Sequence, residues 1–358
     1  MTRKIFSLLL AAAMLLCLCS CAARPGGEET RTVTDSCGRS VSVPVKIERV
    51  APSGSVAQLM LLTLAPELLV GLSNMPDAAQ LEYLPDGIDK LPVFGQFYGG
   101  KSNLNMESLI SADPQIIIDL GEKKKSAGED MDSVQEQTGI PTVFIQADLD
   151  SAADAYRSLG DLLGCPEKAE KIASYIEATV AYAAEKRELI APEDRISVMY
   201  AVGESGLNCN ARGSMQADVI ELIGAENAVV VPENELSAKS GGNTISMEQL
   251  YVFAPDCIIF NAEGAYDAVS GDKTWQELEA IKEGRYYETP SLPYNWMSNP
   301  PSVNRILGIW WLGNLLYPEI YDYDIYEKVT EFYSLFYGRE LSREQVSAML
   351  ERSTFKNG

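Results

Sequence analysis

Two glutamates, Glu107 and Glu248, stand in closely matching local sequences, and this makes them the acidic residues with the clearest shared role. Glycosidases use a pair of carboxyl groups, of which one protonates the leaving group while the other attacks the sugar or activates water. The two residues fall in separate halves of the chain, too far apart to act on one glycosidic bond. The spacing of the pair therefore argues against joint catalysis.

The chain contains no histidine, which removes Ser-His-Asp and Cys-His catalysis, imidazole metal ligands and the usual pH switch. No Gly-x-Ser-x-Gly or metal-hydrolase signature is found either. A net charge of −22 over 358 residues makes nucleic acid and anionic bilayers poor partners. We expect no catalytic residue, no metal site and no cofactor. A surface-anchored, carboxylate-dependent hydrolase is kept only as the alternative of another class.

The first twenty residues predict a secretory signal peptide, because Arg3 and Lys4 precede an apolar run that ends in small residues. The sequence Leu-Cys-Ser-Cys at 18–21 resembles a bacterial lipobox, which predicts cleavage before Cys21 and lipid on its thiol. Ordinary cleavage with Cys21 as a bystander is the alternative. Residues 21–31 then form a flexible linker, and the protein is expected at the extracytoplasmic face of the cell membrane, which it contacts only through the lipid anchor.

The most informative feature is an internal repeat whose matched positions all differ by the same offset. Each copy has a helix N-cap former, a short Met-Glu helix, a proline that stops the helix, and a continuous apolar strand. The first copy is Asn105, Met-Glu-Ser-Leu at 106–109, Pro114 and the strand at 116–118. The second is Ser246, Met-Glu-Gln-Leu at 247–250, Pro255 and the strand at 257–259. Continuous apolar strands are typical of parallel sheets covered by helices on both faces, so the repeat predicts two similar α/β halves.

The halves are assigned to an N-terminal α/β lobe at residues 32–150 and a C-terminal α/β lobe with a helical C-terminus at 193–358. Residues 151–192 are predicted to be bridging helices, the longer of them running from Pro166 to residue 190. The pattern also predicts strands at 68–72, 142–146 and 286–288 and helices at 55–64 and 215–223. A single stiff connector of this kind favours modest movement between the lobes.

The order and spacing of these features resemble the bacterial solute-binding lipoproteins of ABC importers for iron-siderophores, cobalamin and related metal chelates. The resemblance includes Val-Thr-Asp-Ser-Cys-Gly-Arg at 33–39, both Met-Glu units, and Pro-Ser-Val-Asn-Arg-Ile-Leu-Gly at 301–308. It implies an α/β fold with two Rossmann-like lobes joined by a single long α-helix. It also implies a monomer that holds a small-molecule chelate between the lobes and delivers it to a permease and ATPase complex.

The same resemblance implies that Glu107 and Glu248 dock on the permease, one from each lobe. Both are predicted at the second position of a helix, where an acid can also simply offset the helix dipole. A ferric siderophore is the expected cargo, with cobalamin or haem as alternatives. A bare transition metal is disfavoured, because receptors of this shape for zinc and manganese use histidine.

Three loops are the candidate cargo contacts. Two of them carry aromatic side chains, which suit a bulky chelate, and the third is a polar loop whose arginine suits the oxyanions of a negatively charged chelate. Core packing is the competing interpretation for each aromatic ring, and a plain surface charge is the competing interpretation for the arginine. Ser53 and Ser55 are predicted first as helix caps and only second as contacts. The predicted ligand-binding residues are Gln96, Phe97, Tyr98, Asn208, Arg212, Tyr294, Asn295 and Trp296.

Overall fold

The computed structural model describes residues 29–97, 102–237, 241–298 and 300–355. The predicted signal peptide, Cys21 and Tyr98 lie outside these ranges. In the first half, β1 (Thr30–Thr34) and β2 (Ser40–Pro44) pair as an antiparallel hairpin. A parallel sheet follows, in which β4 (Ile116–Gly121) lies between β3 (Val50–Pro52) and β5 (Thr142–Gln146). The first five residues of β4 are buried, as expected of a strand covered on both faces.

Helices pack on this sheet and connect its strands. They are α1 (Ser55–Leu64), α2 (Ala78–Leu81), α3 (Met106–Ala112) and α4 (Ala127–Thr138). The predicted strand at 68–72 is wrong: a 3-10 turn at Pro66–Leu68 is followed by two isolated bridges, Val50 with Leu69 and Leu72 with Val93. Leu69 and Leu72 are buried and Leu68 and Val70 are half-buried, so the hydrophobicity of this segment reflects packing beside the sheet rather than an extended strand.

The second half is built on a six-stranded sheet in which β6 and β10 are central. Its strands are β6 (Ser197–Val202), β7 (Asn208–Cys209), β8 (Glu226–Asn227), β9 (Asn243–Thr244), β10 (Cys257–Phe260) and β11 (Tyr286–Glu288). β6, β8, β10 and β11 are parallel, whereas β7 is antiparallel to both β6 and β9. The helices of this half are α7 (Asp218–Leu222), α8 (Met247–Phe253), α9 (Ala265–Val269) and α10 (Glu279–Lys282). The helix predicted at 215–223 is thus shorter, because its first three residues form a 3-10 turn.

Two helices separate the sheets, α5 (Ala152–Leu163) and α6 (Pro166–Arg187). With 22 residues, α6 is about 33 Å long, and it ends three residues before the predicted limit. Three more helices complete the chain: α11 (Asn304–Leu316), α12 (Ile325–Tyr337) and α13 (Arg343–Leu350). α6 packs on α5, α7 and α11, and α12 packs on α1, so the helical layer contacts both halves.

The repeat is confirmed in three dimensions down to the backbone. Asn105 and Ser246 are the N-caps of α3 and α8, and their side chains accept hydrogen bonds from the amides of Ser108 and Gln249. Both helices end on a residue other than glycine in the left-handed conformation, Asp113 at φ 49° and Ala254 at φ 41°. Each such residue costs about 1–2 kcal/mol. Two copies that keep the same unfavourable geometry at the same position share one architecture.

Candidate functional site

The carboxyl ends of β3, β4 and β5 meet at one edge of the first sheet, and ligands of parallel α/β sheets bind outside this edge. Directly after β3, the buried Ser53 hydroxyl donates a hydrogen bond to the buried carboxylate of Asp119 on β4. The Ser53 carbonyl accepts a hydrogen bond from the Phe97 amide at 3.0 Å. Ser53 therefore connects the end of one strand to the next strand and to the loop that contains Phe97.

A cluster of uncharged polar side chains lies above this edge. Gln96 Nε2 is 3.3 Å from Ser55 Oγ, which in turn is 3.1 Å from Asn74 Oδ1. The buried Gln58 fixes Asn74 from below: its Oε1 accepts from the amides of Ser73 and Asn74, and its Nε2 donates to the Asn74 carbonyl at 2.9 Å. We call Ser55, Asn74 and Gln96 the polar rim. Its amide and hydroxyl groups offer donors and acceptors without net charge.

The corresponding edge of the second sheet is held by a buried network centred on Asn295. Its Oδ1 accepts from the amides of Met297 and Ser298 at 2.8 Å, and its Nδ2 donates to Asn261 Oδ1 at 2.6 Å. Tyr200, on β6, donates to the same Asn295 oxygen at 3.3 Å. Because Asn295 uses both its amide oxygen and its amide nitrogen in these bonds, the loop at 291–298 is fixed against β6 and the carboxyl end of β10.

The same loop contacts the first half of the chain. Gln80 Nε2 on α2 donates to the Pro293 carbonyl at 2.8 Å, and Tyr83 packs edge-on against Tyr333 of α12 at 6.0 Å between ring centroids. Arg339 donates to the Leu84 carbonyl and forms an ion pair with Asp86. The two halves are therefore held together by α12 and by the loop at 291–298 as well as by α6. The Gln80 contact places the loop at the carboxyl edge of the second sheet beside α2 of the first half.

A buried arginine lies close to this junction. The Arg305 side chain is 2 % exposed, donates to the Met215 carbonyl at 3.1 Å and pairs with Asp218 at 3.3 Å. Burial lowers the pKa of Arg305, and burial raises the pKa of Asp218 to about 6 against the opposing effect of the Arg305 charge. The negative charges of Asp148 and Asp150 also act on Arg305. Removing one partner of such a pair leaves an uncompensated buried charge, so the pair fixes α7 to α11.

Glu107 and Glu248 occupy the positions that the sequence predicts. Each is the exposed second residue of its helix. In a parallel α/β sheet, a helix that leads into a strand runs antiparallel to that strand, so the N-termini of α3 and α8 lie at the carboxyl edges of their sheets. Hydrogen bonds at the helix start, from its own backbone and from Ser246, lower the pKa of Glu248. A docking partner would therefore meet one exposed carboxylate on each lobe.

The predicted cargo loops differ from the expectation of open aromatic walls. Phe97 packs in the core of the first sheet, Tyr294 is 7 % exposed, and Trp296 is fully buried with its indole N–H donating to the Leu292 carbonyl. Burial of their large apolar area explains why these loops are aromatic. In the described structure these three rings offer no open face, and Asn295 serves the network above. Gln96 is half-buried and belongs to the polar rim.

The two predicted contacts of the third loop, Asn208 and Arg212, lie in different surroundings. Asn208, in β7, is half-buried and accepts a hydrogen bond from Thr244 on β9 at 2.7 Å. Arg212 is exposed but lies beside β8, where it donates to the Asn227 carbonyl and faces Glu221 and Glu226 at 3.6 and 3.9 Å. β8 pairs with the first residues of β6, so Arg212 lies toward the amino edge of the sheet. The structure does not bring it together with Gln96 or Asn295.

Sequence reasoning missed the residues that hold these edges in place. Ser53 and Ser55 are not caps, since the N-cap of α1 is Gly54 and their hydroxyls bond to Asp119 and Asn74. Asn261 carried one usable signal, because it is a polar residue directly after a buried strand. Gln58 and Arg305 carried none, since each looks like an ordinary polar residue of a helix.

A membrane-spanning helix and a metal-binding cluster are both absent from the residues that the structure describes. None of the helices in residues 29–97, 102–237, 241–298 and 300–355 is long and apolar enough to cross a membrane. Over the same residues, no group of three or more cysteine and acidic side chains is arranged to hold a metal ion.

Comparison with known proteins gives a consistent result. The model of a family described as periplasmic binding protein matches residues 62–293. The iron(3+)-hydroxamate-binding protein FhuD of Bacillus subtilis (strain 168) is 24% identical over 234 residues, which are 61% of this chain and 70% of that protein. The structure of an ABC transporter solute binding protein from Sulfurospirillum deleyianum DSM 6946 superposes with a TM-score of 0.81 at 26% identity, covering 90% of this chain and 99% of the other. A periplasmic heme binding protein from Pseudomonas aeruginosa gives a TM-score of 0.57 at 20% identity over 76% of this chain and 93% of its own.

Proposed function

Because the chain belongs to the periplasmic binding protein family, we propose that it is the solute-binding component of an ABC importer, which captures a ferric chelate and delivers it to the permease. The observation that carries this proposal is the repeated helix-strand unit, which presents one exposed glutamate on each lobe at the edge where ligands bind. Glu107 and Glu248 then dock on positive charges of the permease while the cargo lies between the lobes.

The chemistry of the rim favours an uncharged, oxygen-rich cargo. Ser55, Asn74 and Gln96 offer hydroxyl and amide groups, which suit the carbonyl and amide oxygens of a siderophore. Ferric catecholates carry a high negative charge, whereas ferric hydroxamates are neutral or nearly so. A chain with a net charge of −22 repels the former, and its one arginine among the predicted contacts, Arg212, is already flanked by two acids. The B. subtilis relative is named for binding iron(3+)-hydroxamate, which agrees with this choice.

Haem and cobalamin are the competing cargoes. Without histidine, haem ligation would require a tyrosinate or a similar oxygen or sulfur ligand. Among the predicted contacts in the described structure, Tyr294 is the only tyrosine, and burial raises its pKa to about 12, so its phenol stays protonated at neutral pH. A ferric hydroxamate arrives with its iron already fully coordinated and needs no protein ligand. Of the remaining predicted contacts, Gln96 and Asn208 are polar and half-buried and serve as the first positions to test.

The cargo class is tested by native mass spectrometry of the purified mature chain after incubation with a ferric trihydroxamate, haem and cobalamin in separate samples. One unaltered ferric trihydroxamate per chain is the expected complex, since the protein binds without turnover. Detection of a stoichiometric haem or cobalamin complex instead would contradict a ferric hydroxamate as the cargo and would identify haem or cobalamin in its place. Recovery of a hydrolysed product would instead favour the carboxylate-dependent hydrolase.

We also propose that the protein is a monomeric lipoprotein, tethered through Cys21 to the extracytoplasmic face of the membrane. Replacing Cys21 with serine removes the thiol that is acylated, and the protein is expected to move from the membrane fraction to the medium or the periplasm. Cell fractionation followed by immunoblotting measures this, with Cys37→Ser as the control that changes a different cysteine. Membrane retention of the Cys21→Ser protein would contradict the lipid anchor.

A further inference from the structure

The helices that carry the two glutamates also expose large apolar side chains. Ile110 on α3 is 59% exposed, and on α8 Val252 is 82% and Tyr251 39% exposed. These three are among nine exposed large hydrophobic residues in the described part of the chain, although α3 and α8 have only seven residues each. Exposed apolar side chains that occur singly need no explanation, but a concentration on two symmetry-related helices does.

The spacing places the apolar side chains on the same helix face as the acids. Ile110 is three residues after Glu107, and Val252 is four residues after Glu248, and residues at these spacings are neighbours on a helix surface. Ile110 and Val252 do not belong to the hydrophobic clusters that form the described core, where Leu109 and Leu250 are the buried residues of these helices. Tyr251 differs, because its hydroxyl donates to the Thr274 carbonyl and ties it to the fold.

We propose that Ile110 and Val252 are apolar anchors that insert into the permease beside the salt bridges made by Glu107 and Glu248. This inference rests on the proposed function and adds a second, non-electrostatic component to the docking surface. The permease must therefore present two sites, one for each lobe, in which a positive charge lies next to an apolar pocket. An anionic lipid surface does not fit, because each apolar side chain lies one helical turn from an exposed carboxylate.

The experiment replaces both apolar anchors with serine, as Ile110→Ser together with Val252→Ser, in the chromosomal copy of the gene. Uptake of radioactive iron, supplied as the chelate that the purified wild-type protein binds, is measured at equal surface levels of protein. We expect at least a tenfold loss of uptake, while the chelate affinity of the purified variant stays within twofold of wild type. Because the defect is one of docking affinity, overexpression of the variant restores part of the uptake.

The matched control replaces two other exposed apolar residues that lie outside α3 and α8. Val45 and Leu189 are 47% and 63% exposed and precede β3 and β6, so Val45→Ser with Leu189→Ser is expected to leave uptake unchanged. The conservative pair Ile110→Val with Val252→Ile is likewise expected to retain uptake. Normal uptake by the Ile110→Ser, Val252→Ser protein with intact chelate affinity would overturn the anchors alone. Failure of the wild-type protein to bind any chelate would instead overturn the proposed function.

Discussion

Replacing Glu107 and Glu248 together with arginine is expected to abolish chelate uptake while the purified protein keeps its chelate affinity. Each substitution turns an attraction for the permease into a repulsion, and the loss of one close interfacial charge pair already costs about 2–5 kcal/mol. Two reversals correspond to a loss of docking affinity of about a thousandfold or more. Both side chains are exposed and lie on the surface of their helices, so the proposed chelate site stays intact. Radioactive-iron uptake and chelate titration measure the two properties separately.

The chain supplies a closely matched control for this double substitution. Glu344 is also exposed, is the second residue of α13, and follows a Ser N-cap in the sequence Ser-Arg-Glu-Gln, which parallels the Ser-Met-Glu-Gln around Glu248. Glu167 is the exposed second residue of α6. Glu167→Arg with Glu344→Arg therefore makes the same change in net charge at equivalent helix positions, and uptake is expected to stay normal. An equal loss of uptake in both double variants would point to net charge rather than to docking.

Gly308→Ala is expected to cause a large loss of stability, although alanine is normally the better helix former. Gly308 lies inside α11, and a Cβ atom there would be 2.0 Å from the Trp296 carbonyl oxygen and 3.0 Å from its carbonyl carbon. Both atoms belong to the backbone of the loop at 291–298, which the Asn295 network holds in place, so neither can move alone. Overpacking of this kind costs about 1–3 kcal/mol and sometimes more, and we expect about 3 kcal/mol.

Gly128→Ala is the control, because Gly128 is also helical and its Cβ would meet the nearest atom, Cys37 Cβ, at an ordinary 3.6 Å. There alanine is expected to raise the free energy of unfolding by about 0.5–1 kcal/mol. Urea denaturation followed by circular dichroism measures both changes. A Gly308→Ala protein as stable as wild type would show that the loop at 291–298 is not packed against α11 as described.

The parts of the fold that are set by local sequence could be predicted well. The helix at Ser55–Leu64 and the strands at Thr142–Gln146 and Tyr286–Glu288 have the predicted limits. The repeated unit was recognisable because a capping residue begins each helix and a proline follows its end. These signals act between residues that are close in sequence, and no knowledge of tertiary packing is needed to interpret them.

The composition of the candidate site could be predicted only in part, because burial of a loop depends on contacts distant in sequence. Phe97 and Trp296 looked like open rings beside flexible residues, yet both are buried. Whether Arg212 is free to meet a chelate depends on Glu221 and Glu226, which reach it only after the sheet has formed. Gln96 lies in the polar rim because of the bridge between Ser55 and Asn74, which no local pattern indicates.

The most direct test of the central claim is a tryptophan-fluorescence titration of the purified mature chain, supported by calorimetry. The four tryptophans are all buried, and Trp296 lies in the loop next to the carboxyl edge of the second sheet, so a ferric chelate bound between the lobes should quench emission. We predict saturable quenching, with one site per chain, by a ferric trihydroxamate and not by the iron-free siderophore at the same concentration. No saturable signal and no heat of binding with ferric trihydroxamate, ferric catecholate, haem or cobalamin would contradict a chelate receptor.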